Sequence, residues 1–89
     1  MVKVSVIMAA YNSAKYIYDS ICSYLRQAYP YKELIIVDDD STDDTFRIAM
    51  NFAEKYEHIR VLNNNFRSGP AISRNEGIKI AEGEWISIL

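Results

Sequence analysis

The chain has 89 residues, of which 49% are hydrophobic and 25% are charged, and its formal net charge is -2. This composition is typical of one small folded domain, and the lack of a broad positive field gives no support for nucleic-acid binding. Cys22 is the only cysteine, which excludes an intrachain disulfide and gives no support for a zinc site, so we expect a reducing, cytoplasmic location.

Hydrophobic patterning predicts a strand, a helix and a second strand in the first part of the chain. Lys3 to Ala9 is almost continuously apolar, as in a strand buried on both faces of a parallel sheet, and it is far shorter than the roughly 20 residues of a membrane span. Asn12 or Ser13 is expected to cap a first helix that ends before Pro30. Glu33 to Val37 forms the second buried strand. The apolar stripe of the helix consists of Ile17, Tyr18, Ile21 and Leu25.

The second helix is predicted from a capping box. Ser41 and Asp44 have the required spacing, with Ser41 serving the exposed N–H groups and Asp44 reaching back. Ile59 to Leu62 is a short third strand, and Pro70 suits the first turn of a third helix. The buried face of the second helix is predicted to contain Phe46, Ala49, Met50, Ala53 and Tyr56.

The end of the chain completes an alternating pattern. Gly83 is expected to cap the third helix before a fourth strand, Glu84 to Leu89, with Trp85 in the core. Four strands alternating with three helices predict the α/β class, a doubly wound, mainly parallel sheet. With the strand order 3-2-1-4, ligands would bind beyond the carboxyl ends of the strands, near the first and fourth.

Three carboxylates, Asp38 to Asp40, directly follow the second strand. One interpretation is structural, because such residues end strands, form Asx turns and stabilise helix dipoles. Since Ser41 and Asp44 already supply the predicted cap, Asp38 and Asp39 have no evident structural task. Carboxylates also accept hydrogen bonds from the imide N–H of a pyrimidine or from ribose hydroxyls, which favours a nucleotide site.

Three further side chains have both a functional and a structural interpretation. Arg74, in the third helix, lies where a diphosphate could approach and matches phosphate geometry, but without other evidence its position favours a solvated helix arginine. Tyr11 either stacks on a base or covers the end of the first strand. His58 is interpreted as structural because no nucleophile lies near it in the sequence.

Four segments together closely resemble family-two glycosyltransferases. They have the order and spacing of that family and cover essentially the whole chain. The resemblance implies the Rossmann-like half of a GT-A fold, a nucleoside-diphosphate sugar donor, frequently a UDP-sugar, and transfer to an acceptor hydroxyl with inversion. The segments are Val4–Asn12, Val37–Asp43, Ser73–Gly77 and Ala81–Ile86.

Carried over by position, the resemblance assigns donor contacts to five residues. Ala9 and Tyr11 would line the uracil and ribose pocket. Asp39, with Asp38 beside it, would contact the base. Arg74 would contact the diphosphate.

The sequence departs from the family pattern at three places. Ala9 stands where the family often has Pro, and Asp40 stands where it often has Gly; Asp tolerates the left-handed backbone better than most residues. A common Asn-x-Gly reads Arg67-Ser68-Gly69, which leaves open whether Asn65 or Arg67 makes the family's contact.

The family's metal site directly follows the strand equivalent to Glu84 to Leu89. There an acidic pair binds Mg²⁺ or Mn²⁺ against the donor diphosphate, and residues 1–89 contain no such pair and no catalytic base. The resemblance therefore implies an N-terminal nucleotide-sugar-binding portion, truncated before the metal motif and inactive alone. The glycan or lipid-linked acceptor, and attachment at the inner face of the membrane, would depend on later segments. The last strand would be an exposed edge open to self-association.

Other nucleotide-binding or signalling classes fit less well. A receiver domain needs an Asp at the end of its third strand, where this chain has Asn63. A dinucleotide-dependent dehydrogenase needs G-x-G-x-x-G after the first strand, and Ala9 to Ser13 contains no glycine. A nucleotidyltransferase, which usually has a glycine-rich basic loop at that place, stays the main alternative.

Overall fold

The computed structural model describes all 89 residues and has four strands alternating with three helices. The strands form one parallel sheet in the order β3-β2-β1-β4, which confirms the predicted class and strand order. In chain order the elements are β1 (Val4–Ala10), α1 (Ala14–Arg26), β2 (Lys32–Asp38), α2 (Thr45–Lys55), β3 (Ile59–Asn63), α3 (Pro70–Ile80) and β4 (Trp85–Ile88).

Helices cover both faces of the central strands β1 and β2. On one face, alternate residues of these strands pack with α1 and α2 in a core of ten buried residues that includes Met8, Ile36 and Tyr24. On the other face, a smaller core of Ile7 and its neighbours packs beneath α3. Burial on both faces explains why these strands have nearly continuous apolar sequences. The longest helix has 13 residues, and no helix combines the length and apolar character needed to cross a membrane.

The predicted capping box of α2 is wrong. Asp44, not Ser41, occupies the N-cap position, and its side chain makes no capping hydrogen bond. The Ser41 hydroxyl instead accepts the N–H of Asn12 at 3.0 Å. Asp43 takes the capping role, because its Oδ1 accepts the N–H of Thr45 at 3.0 Å.

The N-terminus of α1 is capped by side chains at the start of α2 rather than by the side chain of its own N-cap residue. Ser13 occupies the N-cap position without a side-chain capping bond. Its N–H donates to Thr45 Oγ1 at 2.8 Å, and the N–H of Ala14 donates to Asp43 Oδ2 at 3.1 Å. The two helix N-termini therefore share capping groups, which sets both beside the carboxyl ends of the strands.

Two predictions for the end of the chain are also wrong. Helix α3 ends at Ile80 with Ala81 as its C-cap, so Gly83 does not cap it. Gly83 lies against β1, where a Cβ atom would come within 2.5 Å of Ser5 Oγ, and this close approach explains the glycine. Trp85 is 66% exposed rather than buried, because β4 is an edge strand and all four of its residues are exposed.

One assignment on α2 needs the same correction. Phe46, predicted to lie on the buried face, is exposed, whereas Ala49 is completely buried. Met50, Ala53 and Tyr56 are partly buried, as expected for the same face.

Candidate functional site

A pocket of about 90 Å³ lies at the carboxyl ends of β1 and β2, the edge of the sheet where doubly wound folds bind ligands. It brings together three of the five predicted site residues, namely Ala9, Tyr11 and Asp39. The β3–α3 loop and the first turn of α3 close its other side. The complete lining is Ala9, Ala10, Tyr11, Asp39, Arg67, Pro70 and Ser73.

Asp39 is the most highly coordinated side chain of the pocket. Its buried carboxylate accepts four N–H groups from the β3–α3 loop, at 2.7 to 2.9 Å: those of Asn64 Nδ2, Arg67 Nε, Ser68 N and Gly69 N. Burial raises the pKa of this carboxyl, but the hydrogen bonds outweigh burial and lower the pKa to about 2. The expectation that Asp39 has no structural task is therefore wrong, because it holds the loop in place.

Asp38 does not line the pocket. It is fully buried, and its Oδ2 accepts the N–H of Ser41 at 3.2 Å and Asn63 Nδ2 at 3.3 Å. Its Oδ1 is buried without a hydrogen-bond partner. The structural interpretation, an Asx turn at the end of the strand, therefore applies to Asp38.

The backbone turns sharply after these two carboxylates. Asp40 has a φ of 58°, the left-handed conformation expected where the family often has glycine. The N–H of Asp39 donates to the carbonyl of Ala10 at 2.8 Å, which ties the end of β2 to the end of β1. This turn holds the Asp39 carboxylate beside the end of β1.

Tyr11 and Arg67 form the outer wall of the pocket. The guanidinium carbon of Arg67 lies 3.5 Å from the centre of the Tyr11 ring, and its Nε donates to Asp39 at 2.9 Å. Of the two residues left open by the sequence, Arg67 lines the pocket, whereas Asn65 is exposed and outside it. The planar stacking of a guanidinium on an aromatic ring is a favourable cation–π arrangement.

Arg74 is not brought into the pocket. It is exposed on α3 and does not line the pocket. Its neighbour Ser73 is completely buried, lines the pocket and accepts Asn64 Nδ2 at 3.0 Å. The sequence analysis does not identify Ser73 as a site residue. Ser73 and Gly77 are both buried, and their spacing of four places them on the same face of α3, the face that packs against the sheet.

The acidic side chains of the chain do not assemble into a metal centre. No group of three or more His, Cys, Asp or Glu residues lies in a metal-binding arrangement. Both oxygens of Asp39 accept hydrogen bonds from N–H groups, one of them from a cationic guanidinium, and Asp38 offers a single free oxygen. This donor set does not fit a divalent cation, which takes several oxygen ligands.

The sequence and the fold are similar to those of known proteins. Residues 5–89 match Glycosyl transferase family 2. The Escherichia coli protein WfaP, named as a UDP-Glc:α-D-GlcNAc-diphosphoundecaprenol β-1,3-glucosyltransferase, is 44% identical over 97% of this chain and 34% of its own length. The structure of S. aureus TarS 1-349 in complex with UDP-GlcNAc superimposes with a TM-score of 0.91 at 38% identity, over 98% of this chain and 26% of that one.

A third similar protein was solved with a metal. The mannosyltransferase PcManGT from Pyrobaculum calidifontis, in complex with GDP-Man and Mn²⁺, superimposes with a TM-score of 0.88 at 29% identity, over 96% of this chain and 26% of that one. The chain therefore belongs to glycosyl transferase family 2 and has the fold of its N-terminal nucleotide-binding region. It spans between 14% and 34% of the length of the curated relatives it matches, 34% in the case of WfaP.

Proposed function

We propose that the chain binds the nucleotide of a UDP-sugar and serves as the donor-binding portion of an inverting glycosyltransferase. The observation that carries this proposal is the pocket that unites an aromatic ring, Tyr11, with a buried ionised carboxylate, Asp39. Such a pair complements a uracil base, because it offers a flat surface for stacking and an acceptor for the imide N–H. The complex of TarS with UDP-GlcNAc, at 38% identity, supports the same class of ligand.

The remaining donor contacts are proposed from position. Ala9, which lines the pocket near the end of β1, would contact the base and ribose. At Pro70 the pocket also borders the N-terminus of α3. Proline has no N–H group, but the free backbone N–H groups that follow it in the first turn favour an approaching diphosphate. Arg74, one helical turn further, would reach the diphosphate by changing the rotamer of its exposed side chain.

Calorimetric titration tests the proposal. We expect UDP and UDP-sugars to bind more tightly than nucleoside triphosphates, and a triphosphate preference would instead favour the nucleotidyltransferase alternative.

Tyr11→Ala should weaken UDP binding by about 1 to 3 kcal/mol, the range for loss of an aromatic stacking partner on a base. The matched control is Tyr31→Ala, which removes a similarly exposed tyrosine before β2, at the opposite end of the sheet. Equal losses in both variants would contradict the assignment.

Asp39 needs a more careful test, because it also holds the β3–α3 loop. Asp39→Asn keeps one acceptor oxygen but has no charge, whereas Asp39→Ala removes all four hydrogen bonds. Both variants should weaken UDP binding, and circular dichroism and thermal unfolding should establish that Asp39→Asn stays folded. A folded Asp39→Asn variant with unchanged UDP affinity would remove Asp39 from the base site.

We propose that the full enzyme uses Mg²⁺ or Mn²⁺, with ligands outside residues 1–89. The structure of PcManGT with Mn²⁺ supports divalent metal use in a similar protein. The acidic groups of this chain do not fit a metal, so UDP affinity of the chain should be the same in EDTA and in millimolar Mn²⁺. A metal requirement for UDP binding would show that residues 1–89 contribute ligands.

Catalysis and acceptor recognition are proposed to reside in other segments of a longer enzyme. Residues 1–89 would then be its donor-binding portion and should show no sugar transfer alone, so metal-dependent transfer by the isolated chain would refute this. The name of WfaP supports a lipid-linked or glycan acceptor.

We propose a cytoplasmic location for the full protein, at the inner face of the membrane, and fractionation of cells would test it.

We also propose that the chain self-associates by pairing of β4 with a second copy. The N–H of Trp85, the first residue of β4, donates to the carbonyl of Lys3 just before β1, and the N–H of Leu89, just after β4, donates to the carbonyl of Ile7 in β1. Successive backbone N–H groups of a strand point to opposite edges. The N–H groups of Ile86 and Ile88 therefore point to the free edge. Ile88→Pro should therefore abolish a dimer seen by sedimentation equilibrium, whereas Ile88→Val should keep it. A monomer at all concentrations for the wild type would contradict self-association.

A further inference from the structure

We propose that Arg67 is an internal placeholder for the nucleobase. Its guanidinium occupies the ring face of Tyr11 and the carboxylate oxygen of Asp39 that a bound base would use. The inference rests on the proposed function, because it requires that Tyr11 and Asp39 receive the base.

The contacts of Arg67 reproduce those of a pyrimidine. Its planar guanidinium stacks 3.5 Å from the centre of the Tyr11 ring, and its in-plane Nε–H donates to Asp39 Oδ2 at 2.9 Å. A pyrimidine imide also combines a flat face with an in-plane N–H donor. The base and the guanidinium therefore compete for the same two partners.

The pocket volume leads to the same conclusion. At about 90 Å³ it is well below the roughly 300 Å³ at which small-molecule sites begin. The Arg67 side chain is 51% exposed, whereas that of Asp39 is 3% exposed. The Arg67 side chain is therefore the part of the pocket lining that can rotate into solvent, which would enlarge the pocket without opening a cavity in the core.

The exchange leaves no buried group unpaired. When Arg67 leaves, Asp39 keeps the hydrogen bonds from Asn64, Ser68 and Gly69. The imide N–H of the base replaces the Nε–H, and the guanidinium regains its hydrogen bonds to water. Because the imide N–H replaces the Arg67 Nε–H as a donor to Asp39, the β3–α3 loop stays bound to Asp39 when the base binds.

Calorimetry with UDP on the Arg67→Met variant tests the competition. Methionine keeps most of the length of the side chain but has neither a planar cation nor an N–H donor. Because the base no longer has to displace an exposed cation–π contact and ion pair, we expect UDP to bind this variant about threefold to tenfold more tightly than it binds the wild type. Arg26→Met, on the last turn of α1 at the opposite end of the sheet, removes the same charge and should leave the affinity unchanged.

The outcomes separate the two proposals. UDP binding to the wild type with equal or weaker binding to Arg67→Met would overturn the placeholder and leave the proposed function standing. A wild-type chain that does not bind UDP would overturn both.

Nuclear magnetic resonance of the wild-type chain gives a second test that does not depend on the variant. The Arg67 Nε–H proton should show an upfield ring-current shift from Tyr11 in the free chain, and saturating UDP should abolish that shift. A shift that persists at saturation would show that the guanidinium stays on the ring, which contradicts displacement.

Discussion

The Ser5 hydroxyl donates a 2.5 Å hydrogen bond to the buried carboxylate of Glu33, joining β1 to β2 at the end of the sheet opposite the pocket. The same carboxylate accepts the N–H of Glu82 at 2.7 Å and Arg60 Nη2 at 2.9 Å. The Ser5 hydroxyl in turn accepts the N–H of Gly83 at 2.8 Å. These bonds fasten the α3–β4 connection to the central strands and so position β4 at its start.

Glu33→Gln should destabilise the chain at neutral pH. Burial raises the pKa of Glu33, but the hydrogen bonds from Ser5, Glu82 and Arg60 outweigh it and hold the pKa below its ordinary value of 4.5. The ionised form therefore stabilises the fold above about pH 4.5, and this contribution is lost as the pH falls through the folded-state pKa. Loss of a charged partner in a buried network costs about 1 to 3 kcal/mol.

Urea unfolding at several pH values measures this effect. The difference in free energy of unfolding between wild type and Glu33→Gln should be largest at pH 7 and shrink below pH 4.5, where the wild-type carboxyl becomes protonated. Glu57→Gln, an exposed position before β3, is the control and should differ little from wild type. A pH-independent difference would show that charge on Glu33 is not what stabilises the network.

Gly77→Ala should also destabilise the chain, for a steric reason. A Cβ atom at Gly77 would lie 2.8 Å from Ile7 Cγ2 and 3.3 Å from Val37 Cγ2, so α3 or the sheet would have to shift. Overpacking of this kind costs about 1 to 3 kcal/mol. Thermal and urea unfolding against the exposed control Lys79→Ala would measure it. Gly77→Ala as stable as wild type would mean that helix propensity outweighs the contact.

The architecture and the position of the pocket could be predicted from the sequence because both depend on local patterns. Apolar strands alternating with amphipathic helices define the sheet, and the carboxyl ends of parallel strands meet at one edge. Ala9, Tyr11 and Asp39 were therefore placed together correctly. The binding roles given to them and to Arg74 stay predictions until they are measured.

The errors concern interactions between residues distant in the chain. Asp39 obtains its partners from residues 25 to 30 positions away, which no local pattern shows. The N-terminus of α1 is capped by Asp43 for the same reason. Trp85 was assigned to the core from its apolar character, but exposure of β4 depends on its place at the edge of the sheet.

The stability of the chain should depend on pH through His58 as the pH falls below 6.5, the ordinary pKa of histidine. Its Nδ1 shares a 2.7 Å hydrogen bond with the Tyr24 hydroxyl, and burial, aided by the charge of Lys32, lowers the pKa of His58 below its ordinary value of 6.5. The unfolded chain therefore binds the proton more tightly than the folded chain does. Stability is complete above the unfolded-state pKa and falls as the pH decreases below it.

His58→Gln isolates this contribution, because His58 is the only histidine and glutamine can still hydrogen-bond to Tyr24 without titrating. In urea unfolding, the wild-type free energy should rise from pH 5.5 to 7, whereas that of His58→Gln should stay nearly constant. Tyr24→Phe should be less stable than wild type while keeping a pH dependence, since burial of the imidazole is the larger cause of its lowered pKa. Equal pH slopes in wild type and His58→Gln would mean that the folded and unfolded chains bind the His58 proton equally well.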